Sequence, residues 1–128
     1  ELVGRFQRER AGLSAIALTT DPSVVTAVSN DMGFACVFRR QVEAHGRPGD
    51  VALGISTSGR SPNVIEALRA ARQRGLLTVG LTGNGGGEVA GLVKHLIDVP
   101  HADTQRIQEV HAMVLHLLCQ VVEEAASR

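Results

Sequence analysis

Short apolar runs rich in β-formers alternate along this chain with segments of helical periodicity, and no other feature constrains the fold as strongly. The runs lie at 14–20 (SAIALTT), 51–56 (VALGIS), 76–82 (LLTVGLT) and 95–100 (HLIDVP). Helical spacing of apolar residues fills 24–30, 34–44, 62–74, a short piece at 89–92 and a long stretch at 105–125. Strand, crossover helix and strand in succession predict an α/β fold with a parallel sheet and right-handed connections. Aromatic residues make up only 2% of the chain, so Val, Leu, Ile and Ala must build the core, as in buried parallel sheets. The 128 residues suit one folded unit, and no linker or repeat marks a boundary within 1–128.

Charge excludes some functions. Thirteen Lys and Arg balance thirteen Asp and Glu, so the chain lacks the positive excess of a protein that binds a nucleic-acid backbone. No apolar run approaches the roughly 20 residues that span a bilayer. Cys36 and Cys119 fall inside helical patterns, form no CxxC pair and follow no secretory signal. They read as reduced, buried thiols of a cytoplasmic protein.

The chemistry concentrates where the second run ends. In GISTSGRSPNVIEAL the strand breaks into Ser56, Thr57, Ser58, Gly59, Arg60 and Ser61, and Pro62 opens a helix. Ser61 is suited to the N-cap and Pro62 to the first helical position. The C-terminal end of a strand meeting a helix N-terminus is where open α/β sheets bind ligands. Free backbone N–H groups and the helix dipole attract an anion there, and four hydroxyls add neutral donors suited to phosphate oxygens. Capping and turn formation alone would need fewer hydroxyls around one Gly.

Other phosphate motifs are absent. No GxxxxGK[ST] occurs, and TGNGGGE at 82–88 does not open a long helix as a dinucleotide fingerprint does. ATP and dinucleotides are therefore disfavoured, and the GNGGG loop is expected to make a sharp turn rather than to bind.

Three segments in this order, GISTSGRSPNVIEAL, LTGNGGGEVAGL and RIQEVHAMVLHLLCQVVEE, resemble the sugar-isomerase (SIS) domain. Within it they are similar to the sedoheptulose 7-phosphate isomerases, also called phosphoheptose isomerases. The resemblance runs over essentially the whole chain. It implies a three-layer, flavodoxin-like sandwich around a parallel sheet. It also implies that ELVGRFQRER is the end of a helix already under way, with the first strand and helix of the family's five-stranded sheet missing.

The resemblance further implies roles. Ser56, Thr57, Ser58 and Ser61 would hold the sugar phosphate, and Asn30 and Asp31 would contact the sugar. Glu1 and His116 would be catalytic. Gln108 would bind substrate and, with Glu1 and His116, zinc, together with a His that the family carries four residues before that Glu. That His and a GNGGS-type loop have no counterpart here, and Gln105 stands where the family has Asp.

Moving a proton between C1 and C2 through an enediolate needs one group to take a carbon-bound proton and another to serve the oxygens. Glu1 and His116 form the natural pair, without an assignment of acid and base. His111 lies on another face of the helix and is expected to pack or meet a partner subunit. His45, His95 and His101 fall at element ends, with surface roles. The wide apolar stripe through Ile107, Val110, Val114, Leu117, Leu118 and Val121 predicts a homo-oligomer, a tetramer by resemblance. The competing reading is a non-catalytic SIS protein that binds the replication initiator DnaA. Such relatives tend to lack the second His, so His116 favours the enzyme.

Overall fold

The structure, a computed structural model, describes residues 1–126. Its elements follow in the order α1 (Pro22–Met32), a 3-10 turn (Phe34–Cys36), α2 (Val37–His45), β1 (Val51–Ser56), α3 (Pro62–Gln73), β2 (Leu77–Gly83), a second 3-10 turn (Val89–Gly91), β3 (His95–Val99) and α4 (Thr104–Ala126). The three strands form one parallel sheet in the order β1-β2-β3, with Val51 beside Leu77 and Val79 beside His95. The α/β class and the parallel sheet agree with the sequence.

Strand alternation decides which face each helix covers. A Cβ on Gly54 would strike Val64 and Leu68 of α3, so that face of β1 lies under α3 with almost no gap. Ile65 and Leu68 pack there with Val89, and α2 closes the layer through Val42 against Ala70 and Ala71. On the opposite face α4 crosses the end of β2, where a Cβ on Gly83 would meet Ile107 at 2.4 Å. Leu81 beneath it is fully buried, whereas Val51, Leu53 and Ile55 of β1 stay exposed on that side.

Two expectations fail. The run at 14–20 is irregular: Thr20 turns back to the Ala17 carbonyl, and no described strand pairs with the outer edge of β1. A strand is defined by its ladder, and alternating Ile16 and Leu18 cannot make one without a neighbour. Only Leu18 finds apolar company, against the Val42, Ala70 and Ala71 cluster. Residues 1–10 are likewise a bent loop rather than a helix end. The amides of Phe6, Gln7 and Arg8 donate to the Glu123 carboxylate instead of to carbonyls of a preceding helical turn.

Candidate functional site

The hydroxyl loop leaves β1 at Ser56, which is buried, and enters α3 at Ser61. Ser61 occupies the N-cap position, yet its side chain caps nothing. Its Oγ lies 2.9 Å from the Ser56 Oγ, tying the two ends of the loop together. Ser61 thus leaves the start of α3 without an N-cap bond, and in the first turn the Asn63 Oδ1 accepts from the Val64 amide at 3.0 Å. Ser58 is exposed, and its Oγ accepts from the Arg60 amide at 3.2 Å.

A second loop holds the first in place. Asn84, Gly85, Gly86 and Gly87 all have positive φ, and the backbone of Gly86 lies so near Gly59 that a Cβ there would sit 1.8 Å from the Gly86 oxygen. The Val89 amide donates to the Gly59 carbonyl at 3.0 Å. The Gly-rich turn is itself fixed by Asp98, which accepts from the Thr82 hydroxyl and the Gly85 amide, each at 3.0 Å. Its role is to let two backbones touch, in keeping with the sequence reading.

Ile55, Ser56, Thr57 and Ser61 line one wall of an open cleft of roughly 430 Å³, and Gln108, His111, Ala112 and Leu115 of α4 line the other. His111 is buried, with Nε2 2.9 Å from the Thr82 carbonyl oxygen. A carbonyl only accepts, so Nε2 carries the proton and donates. Sequence reasoning gave His111 a role in packing or at a subunit interface; it is buried within the chain, and its place on the wall of the hydroxyl cleft escaped notice.

His116 opens on a different cleft, of roughly 510 Å³, with Phe6, Gln7, Met113, Leu117 and Gln120. Residues 108, 111, 112 and 115 share one face of α4, and 113, 116, 117 and 120 share another about 140° round the axis. The His116 imidazole stacks on the Phe6 ring with centroids 5.8 Å apart. Phe6 in turn belongs to the loop gripped by Glu123, a residue the sequence reading did not single out. Burial alone would raise the Glu123 carboxyl. The amides of Gln7, Arg8 and Phe6 and the Arg10 guanidinium outweigh burial and hold it below its ordinary value.

The remaining expected site residues lie apart. Asn30 and Asp31 are exposed in the last turn of α1, with the Asn30 amide donating to the Asp31 carboxylate at 2.9 Å. Glu1 is exposed, and Arg10 holds its carbonyl at 3.1 Å. Gln108 and His116 are separated by about 12 Å along the α4 axis and about 80° around it. Among the described residues no three His, Cys, Asp or Glu side chains gather closely enough to hold a metal. On a straight helix, Gln108 and His116 of one chain therefore do not converge on one zinc.

The SIS domain family model matches residues 1–83. The chain belongs to the SIS domain family. It is 56% identical over 123 residues to a phosphoheptose isomerase of Nitratidesulfovibrio vulgaris (strain Miyazaki F), covering 96% of this chain and 59% of that protein. With the phosphoheptose isomerase of Roseiflexus sp. (strain RS-1) the identity is 58%, over 96% of this chain and 62% of that one. The chain thus spans about three-fifths of the length of these relatives. Among solved structures, a phosphoheptose isomerase from Francisella tularensis superposes with a TM-score of 0.92 at 36% identity, covering 97% of this chain and 66% of that chain. Phosphoheptose isomerase GmhA from Neisseria gonorrhoeae gives 0.86 at 50% identity, over 88% and 63%. The SIS fold expected from the motifs is the fold these structures share.

Proposed function

We propose that this SIS chain supplies the phosphate-binding half and part of the proton-transfer machinery of an aldose–ketose isomerase. The reaction converts sedoheptulose 7-phosphate to D-glycero-D-manno-heptose 7-phosphate for nucleotide-heptose synthesis in the cytoplasm. The observation that carries the reading is the hydroxyl cleft: Ser56, Thr57 and Ser61 stand at a strand-to-helix junction, with the Ser61 side chain not used as a cap and Gln108 opposite. A phosphate dianion there meets hydroxyl donors and the positive end of a helix. Ser58, exposed at the loop tip, adds a donor once a phosphate arrives, and Asn30 and Asp31 are assigned to the sugar.

Glu1 and His116 exchange the protons of the C1–C2 enediolate in this reading. The two lie outside the hydroxyl cleft in a single chain, so a complete centre draws on more than one copy. Met113 and Leu117 support this, because they are exposed and flank His116 on the same face of α4. A homotetramer packed through α4 would cover them. Zinc belongs to the proposal only in such an assembly, where it would polarise the carbonyl of the bound sugar.

The test is His116→Gln in the full-length enzyme. Turnover should fall by about 10²- to 10⁴-fold, the value of one proton-transfer group. Near-normal turnover would overturn the isomerase reading and favour a non-catalytic protein that binds the replication initiator.

A further inference from the structure

The lower end of α4 carries a buried carboxylate with no part in the isomerisation described above. Glu123 is 2% exposed. Its Oε2 accepts from the Gln7 and Arg8 amides, each at 2.9 Å, and its Oε1 accepts from the Phe6 amide at 3.3 Å. Arg10 Nε pairs with Oε1 at 3.1 Å, and the same guanidinium reaches the carbonyls of Glu1, Leu2, Gly4 and Ala11. Residues 1–11 have no regular structure of their own, so these bonds decide where the loop sits.

Where it sits determines what touches His116. Glu123 follows His116 by seven residues, two turns of α4, which puts both on one face about 10 Å apart along the axis. The loop tied at Glu123 therefore lies over that face, and its Phe6 ring stacks on the imidazole. His116 is otherwise exposed within the chain, and the Phe6 ring is its stacking contact.

We propose that Glu123 is a positioning residue, anchoring residues 6–8 and Arg10 so that Phe6 holds the His116 ring in one orientation. Both carboxylate oxygens are needed. A Gln in its place turns one acceptor into an NH₂ donor facing backbone N–H groups and Arg10. The proposal rests on His116 being the proton-transfer group, and the test separates the two claims.

The full-length chain, labelled with ¹³C-histidine, is compared as wild type, Glu123→Gln and Phe6→Leu. Ring-current shifts of the His116 signals report stacking, and kcat and KM are measured on sedoheptulose 7-phosphate. Glu123→Gln should move the His116 signals in the direction of Phe6→Leu and lower kcat by up to about 10²-fold with KM held within about twofold. Signals that stay at the wild-type position in Glu123→Gln while Phe6→Leu moves them overturn the proposal. So does a loss of kcat that appears only with loss of assembly. If Glu123→Gln does not fold, Phe6→Leu decides: moved signals with wild-type kcat overturn it, and moved signals with lowered kcat at constant KM support it. Should His116→Gln keep full turnover, the isomerase reading fails, while the ring signals still judge whether Glu123 places the imidazole.

Discussion

Replacing Gly59 with Ala tests whether the two loops of the hydroxyl cleft depend on direct backbone contact. Gly59 has φ 61, and an added Cβ would lie 1.8 Å from the Gly86 oxygen and 2.9 Å from the Gly87 nitrogen. Left-handed backbone costs a non-glycine residue about 1–2 kcal/mol. The collision adds a separate cost, because no side chain can rotate out of the way and one loop must shift. Forced repacking of this kind costs about 1–3 kcal/mol, so Gly59→Ala should destabilise the fold by about 2–5 kcal/mol. Gly85→Ala is the control: its φ is 86 but nothing lies within 4 Å, so only the backbone cost of about 1–2 kcal/mol applies. Urea unfolding gives both values, and calorimetric titration with inorganic phosphate gives the consequence for the cleft. Gly59→Ala should weaken phosphate binding by about tenfold or more, one lost hydrogen bond to a charged group, and Gly85→Ala should leave it nearly unchanged. Equal destabilisation by the two variants would refute the reasoning, since it would mean that the loops can separate without cost.

Three further outcomes are expected. Replacing Ser58 and Ser61 together with Ala should weaken sugar-phosphate binding by about 1–3 kcal/mol in a calorimetric titration, and unchanged affinity would remove the phosphate from this loop. Glu123 is held below its ordinary value of 4.5, so its stabilising contribution is present above that pH and is lost as pH falls through the lower folded value. The Gln7 and Arg8 amide signals should titrate together with a midpoint under 4.5, and a midpoint at or above 4.5 would contradict the hydrogen bonding. Light scattering of the full-length protein should give a tetramer, and a stable monomer at micromolar concentration would sink the shared-centre reading.

What could be read in the sequence depended on whether a residue's role was local. β1, α3 and the hydroxyl loop between them follow from Val51, Leu53 and Ile55 alternating into a Ser-rich break and Pro62, because strand period, turn chemistry and helix start are all near-neighbour properties. The Gly-rich turn was legible for the same reason. The run at 14–20 misled because its apolar pattern is a strand's, while pairing is a property of two segments and β1 offers it none within the described residues. The loop of residues 1–10 misled in the opposite way: a helical pattern yielded to three amides donating to a carboxylate more than a hundred positions away. Nothing within ELVGRFQRER announces that contact. α4 shows both limits at once. Its length and apolar spacing were plain, yet the spacing 108, 111, 112, 115 and the spacing 113, 116, 117, 120 describe two different faces, each lining its own cleft. One helix cannot turn both faces to one substrate. If Gln108 and His116 serve one reaction, the second face must be met by another copy, and the exposed Met113 and Leu117 beside His116 are the surface it would cover.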